Sequence, residues 1–158
     1  MNNTADYRRA TALIRHHAVG DQAGITAVLE EAETEDRGTE LLVALLGIFA
    51  FIEPLLRTDT ARTAIRQCID ITADADDQPY WVRAAASAIA AYADDDKQRL
   101  GDVIDEVLAE GRGAGVLFQG IADIWFNLMP ELRAPAGLHA LTRWATGLAV
   151  VEGDEEQQ

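Results

Sequence analysis

The stretch Asp95-Asp96-Lys97-Gln98-Arg99-Leu100-Gly101-Asp102-Val103-Ile104-Asp105-Glu106-Val107-Leu108 decides the fold class. Its apolar residues stand at 100, 103, 104, 107 and 108, the spacing of a single helix face, and nearly everything between them is charged or small. An aspartate precedes the stripe, where its carboxylate can accept from the free N–H groups of a first helical turn. The pattern predicts an amphipathic helix that starts near Asp95 or Asp96 and lays one face on a core.

The same signals mark seven more helices. The first runs from about Thr4 to Ala18, with Tyr7, Ala10, Ile14 and His17 at helical spacing. Gly20 ends it, and Asp21 caps a second that carries Ile25, Val28, Leu29 and Ala32. The third spans roughly Thr39 to Ile52 and is closed by Glu53 and Pro54. A fourth follows Thr58-Asp59 and places Ala61, Ile65, Cys68, Ile69 and Thr72 on one face. Asp77 caps the fifth, with Pro79 in its first turn and Trp81, Ala85, Ala88, Ile89 and Tyr92 turned inward. The seventh runs from about Ala114 to Met129, and the eighth starts near Pro135 with Leu138, Leu141, Ala145 and Leu148 on its face. No alternating apolar run or hairpin-turn dipeptide between apolar segments predicts a strand. The expectation is an all-α chain of about eight antiparallel helices in helix-hairpin repeats, either a solenoid-like array or a closed bundle. Residues 1–151 are read as a single domain and 152–158 as an acidic disordered tail.

Sliding the chain against itself by 75 residues gives a gap-free match, which predicts a tandem duplication with halves 1–75 and 76–151. Arg8 falls on Arg83, Ile14 on Ile89, Asp21 on Asp96, Glu31 on Glu106, Glu35 on Glu110, Arg37-Gly38 on Arg112-Gly113 and Phe51 on Phe126. Helical periodicity alone would align apolar positions at this offset, but it does not align a capping aspartate or an Arg-Gly break. Gly20 to Ala32 resembles the second helix of a tetratricopeptide repeat. The first-helix signature of that repeat (Trp, Leu-Gly and Tyr at fixed offsets) is missing throughout, so the chain is not assigned to that family.

Twenty-seven acidic residues face thirteen basic ones, a formal charge of −14, which argues against nucleic acid and anionic membrane as partners. The N-terminal residues have no apolar segment of the signal-peptide type, and the apolar run Leu41–Ile52 is shorter than the ~20 residues of a membrane span. The lone cysteine, Cys68, permits no internal disulfide and points to the cytoplasm; its place on an apolar face predicts an inert, buried thiol.

Chemistry-bearing groups are few. Gln119, Asp123 and Asn127 form a polar stripe at i, i+4 and i+8 on the otherwise apolar seventh helix, and they are the candidate binding residues. The third helix is apolar nearly all round, so Leu45, Ile48, Phe49 and Ile52 are expected either to be buried or to form a homodimer seam. The clusters Asp74/Asp76/Asp77 and Asp94/Asp95/Asp96 lack the glycine and terminal glutamate of a calcium loop and read as caps and surface charge. Gly111-Arg-Gly-Ala-Gly115 lacks a phosphate-loop ending and reads as a helix break. Adjacent His16 and His17 point about 100° apart and cannot chelate one ion together. No metal ligands, cofactor or catalytic residues are predicted. The leading expectation is a non-enzymatic helical-repeat module that binds a basic protein or peptide, as an adaptor, chaperone or neutraliser. A small-molecule binder with a pocket between central helices ranks second and an enzyme third.

Overall fold

A computed structural model describes residues 4–111 and 113–155, with side chains as far as residue 147. Among the described residues there are eight α-helices and no strand: α1 (Thr4–Val19), α2 (Gln22–Thr34), α3 (Gly38–Leu56), α4 (Asp59–Asp74), α5 (Tyr80–Ala93), α6 (Lys97–Ala109), α7 (Gly115–Leu128) and α8 (Pro135–Glu155). A 3₁₀ turn, Pro130–Arg133, precedes α8. The all-α expectation therefore holds. α8 continues through Glu152 to Glu155, and residues 156–158, like Arg112, lie outside the described residues.

Three local expectations are corrected. Pro54 does not close α3 but lies inside it. It forfeits one hydrogen bond to the carbonyl of Ala50, but both residues are exposed, so the orphaned carbonyl is not sealed in a core. The cap of α5 is Pro79, with no side-chain hydrogen bond, and not Asp77. Cys68 is exposed. On α4 only Ile65 and Ile69 are buried, a stripe too narrow to include position 68.

The chain forms two compact units. One comprises α1, α2, α3 as far as Ile48, the 3₁₀ turn and α8; the other runs from Phe49 to Met129. In the first, α1 packs against α2 and α8. In the second, α5 packs against α4, α6 and α7. Alanine makes that central position workable: Ala85, Ala86, Ala88, Ala90 and Ala91 have no exposed surface and lie on every side of α5. Small side chains let three helices approach one axis closely, and alanine also has the highest helix propensity. Where α7 crosses α5, a Cβ at Gly120 would lie 2.8 Å from Ala85 Cβ and 3.0 Å from the Trp81 carbonyl oxygen.

The buried face of α3 includes Leu45, Ile48, Phe49 and Ile52, at 0%, 3%, 0% and 7% exposure. Those four side chains are therefore buried within the chain itself. α3 is, among the described residues, the one helix long and apolar enough to cross a membrane.

Two helix reversals share one construction. α1 ends at Gly20 (φ +71°), whose N–H donates to the His17 carbonyl at 3.2 Å while the Asp21 N–H donates to the His16 carbonyl at 2.8 Å. α5 ends at Asp95 (φ +54°), whose N–H donates to the Tyr92 carbonyl at 3.1 Å while the Asp96 N–H donates to the Ala91 carbonyl at 2.9 Å. Each is a Schellman termination around a left-handed residue. The next residue is in both cases an aspartate that caps the following helix: Asp21 accepts from the Gly24 N–H at 3.0 Å and Asp96 from the Arg99 N–H at 2.9 Å. α2 leaves through Asp36 (φ +55°) and α6 through Gly111 (φ +68°).

The left-handed geometry sets an asymmetric expectation. Gly20→Ala places a Cβ where L-residues are disfavoured and should cost about 1 kcal/mol. Asp95→Gly relieves the same strain and should cost nothing or stabilise. Urea unfolding of both variants checks the contrast, and equal losses at the two positions would contradict it.

Candidate functional site

α7 sets Gln119, Asp123 and Asn127 one turn apart on a single face, as the spacing predicts. Gln119 and Asn127 are exposed, and Asp123 is half-buried. The opposite face is core: Leu117, Phe118, Ile121, Trp125 and Phe126 are buried. Trp125 lies nearly parallel to Phe49 at 5.3 Å between centroids, and Phe126 meets Phe49 edge-on at 6.5 Å. The indole N–H of Trp125 is buried without a hydrogen-bond partner, an uncommon condition for a core donor. The stripe thus lies at the solvent side of α7, with only its middle member partly withdrawn.

A second constellation, not anticipated from the sequence, ties α1 to α2 and to the residue ahead of α3. Asp6 has no exposed surface and Arg9 is 4% exposed. Arg9 donates from Nε to Glu31 at 2.7 Å and from Nη2 to Glu35 at 2.7 Å, and its Nη1 lies 3.5 Å from Asp6. Arg8 shares Glu31 at 3.1 Å. Arg37 forms a close two-point contact with Asp6 and reaches Glu40 at 3.3 Å. Burial works against the Arg9 charge, but hydrogen bonds and attraction from Glu31 and Glu35 outweigh it and hold the guanidinium above its ordinary pKa. Burial likewise pushes the Glu31 carboxyl up, and Arg9 and Arg8 more than offset this, leaving it below its ordinary value. Glu31 and Glu35 stand four residues apart on α2, a spacing visible in the sequence, but which arginines they meet depends on how α1 and α2 pack. The guanidinium of Arg9 spends its donors on carboxylates of its own chain, so the cluster is a clasp between α1 and α2.

The third arrangement is at the α1–α2 reversal. Nδ1 of His16 lies 2.8 Å from Oδ2 of Asp21, whose other oxygen caps α2. The imidazole rests directly on Gly24, where a Cβ would be 2.1 Å from Nδ1. The Gly24 N–H, followed by His16, lowers the Asp21 carboxyl pKa.

In the second unit, Arg57 donates to the carbonyls of Leu56 at 2.9 Å and Leu128 at 2.6 Å, a cation placed at the C-terminal ends of α3 and α7. Arg66 holds Asp94 at 2.6 Å and Asp70 at 3.4 Å. One member of the Asp94/Asp95/Asp96 cluster is thereby an ion-pair partner, and Asp96 is a cap. Among the described residues no three His, Cys, Asp or Glu side chains gather as a metal site. No protein-family model, curated protein or solved structure matches this chain.

Three outcomes follow from these arrangements. Arg9→Met strands the buried Asp6 with one partner fewer and should cost about 3 kcal/mol, whereas Arg8→Ala at the rim should cost under about 1 kcal/mol; denaturant midpoints at a constant m-value test the order. Asp21 binds its proton less readily folded than unfolded, so its stabilisation is present above the ordinary aspartate range of about 4 and is lost as pH falls through the lowered value. Asp21→Asn, which keeps a capping oxygen but does not titrate, should flatten that part of the acid-stability profile. Gln119→Ala and Asn127→Ala should each change stability by no more than about 0.5 kcal/mol, as solvated positions do, and thermal unfolding measures this directly.

Proposed function

We propose that this chain is a non-enzymatic helical module that docks a basic protein or peptide. The observation that carries the reading is a pair of exposed apolar side chains in the second unit, one on α4 and one on α6. Ile71 is 70% and Leu108 53% exposed, and each lies one turn from an exposed carboxylate on its own helix, Asp74 and Asp105 respectively. Between Phe49 and Met129 fourteen acidic residues face seven basic ones. Large exposed apolar side chains among carboxylates suit a partner that offers both cations and apolar area: the charges steer and select, and the apolar contacts supply affinity. The single cysteine, exposed and unpaired with another thiol of the chain, fits a reducing compartment, and the cytoplasm is part of the proposal.

A helix-hairpin duplication is the second part of the proposal. Its support is the recurrence, 75 residues apart, of left-handed backbone at Gly20 and Asp95 and at Asp36 and Gly111, together with the paired caps Asp21 and Asp96. The alternative reading, a small-molecule binder using Gln119, Asp123 and Asn127, rests on the shared face of these three residues and on the half-buried position of Asp123.

Calorimetry separates the two. A Lys/Leu amphipathic peptide should bind, lose affinity as salt is raised, and bind about tenfold or more weakly to the Ile71→Ser/Leu108→Ser double variant, a loss of 1.4 kcal/mol. Its Glu/Leu counterpart should not bind. Equal binding of both peptides, or no effect of the double variant, would overturn the docking surface. A thermal shift produced by a small-molecule collection and abolished by Asp123→Ala would instead support the alternative.

A further inference from the structure

We draw no further inference here: the strongest candidate, the uncharged outward patch of Ala50, Phe51, Pro54 and Leu55 on the last turns of α3, carries nothing because no feature of the structure shows what covers it.

Discussion

Everything in this fold depends on the chain reversing direction in very little space. Between α1 and α2 the reversal takes two residues, Gly20 and Asp21, and between α5 and α6 three, Asp94 to Asp96; each contains one residue in left-handed conformation followed by a capping aspartate. The N–H groups of the left-handed residue and of the aspartate after it satisfy two carbonyls at the end of the outgoing helix, and the aspartate side chain satisfies an N–H at the start of the incoming one. Because the aspartate N–H also closes the outgoing helix, the two ends share a residue. A connection that short makes the helices antiparallel neighbours, and the packing of α1 on α2 and of α5 on α6 follows from it.

The two hairpins then hold together by different means. At position 6 the first has buried Asp6 and at position 9 buried Arg9; 75 residues on stand Trp81 and Ala84. Glu31 and Glu35 have the exposed counterparts Glu106 and Glu110, and alanine stands where Arg9 would be. Arg83, the counterpart of Arg8, lies 3.6 Å from Asp76. Where the first hairpin uses a charged clasp, the second uses alanine surface on α5, and Gly120 admits the Trp81 backbone. Apolar packing of similar volume can match a buried ion network in stability, so both solutions can serve one geometry. The clasp carries the stricter condition, since loss of one partner leaves a buried charge.

The helices and both capping aspartates were legible in the sequence because each depends on neighbours within a few residues. The stripe of α6 and the Gly20-Asp21 stop-and-start are of this kind. Asp95 was harder to place, because a left-handed aspartate looks like a second capping residue until the backbone is seen. Cys68 falls outside the buried face: periodicity locates the centre of such a face but not its width, and α4 buries only Ile65 and Ile69. Pro54 signals a stop by sequence alone, but it stands on an exposed side of α3, where its lost hydrogen bond is not sealed in a core. Of the candidate binding residues, the shared face of Gln119, Asp123 and Asn127 could be read from spacing, but the partial withdrawal of Asp123 alone could not. The Asp6–Arg9–Arg37 clasp was invisible, because thirty-one residues separate Asp6 from Arg37 and no local pattern encodes that meeting.

The reversal at Asp21 carries one addition that its counterpart lacks. His16 stands where the second hairpin has Ala91, and Gly24 where it has Arg99. The two differences are mechanically linked, since the imidazole occupies the space that any side chain at position 24 would need. Glycine inside a helix costs about 1 kcal/mol relative to alanine, so the histidine contact is kept at some expense to α2. The cap itself does not require it, because Asp96 makes the same bond to a backbone N–H with alanine at position 91. What His16 adds is a second anchor on the capping carboxylate, Nδ1 holding one oxygen while the Gly24 N–H holds the other. A carboxylate bound at both oxygens cannot rotate away from the helix end. The first hairpin therefore fixes its capping carboxylate from two sides, whereas in the second the Asp96 carboxylate is held by the Arg99 N–H.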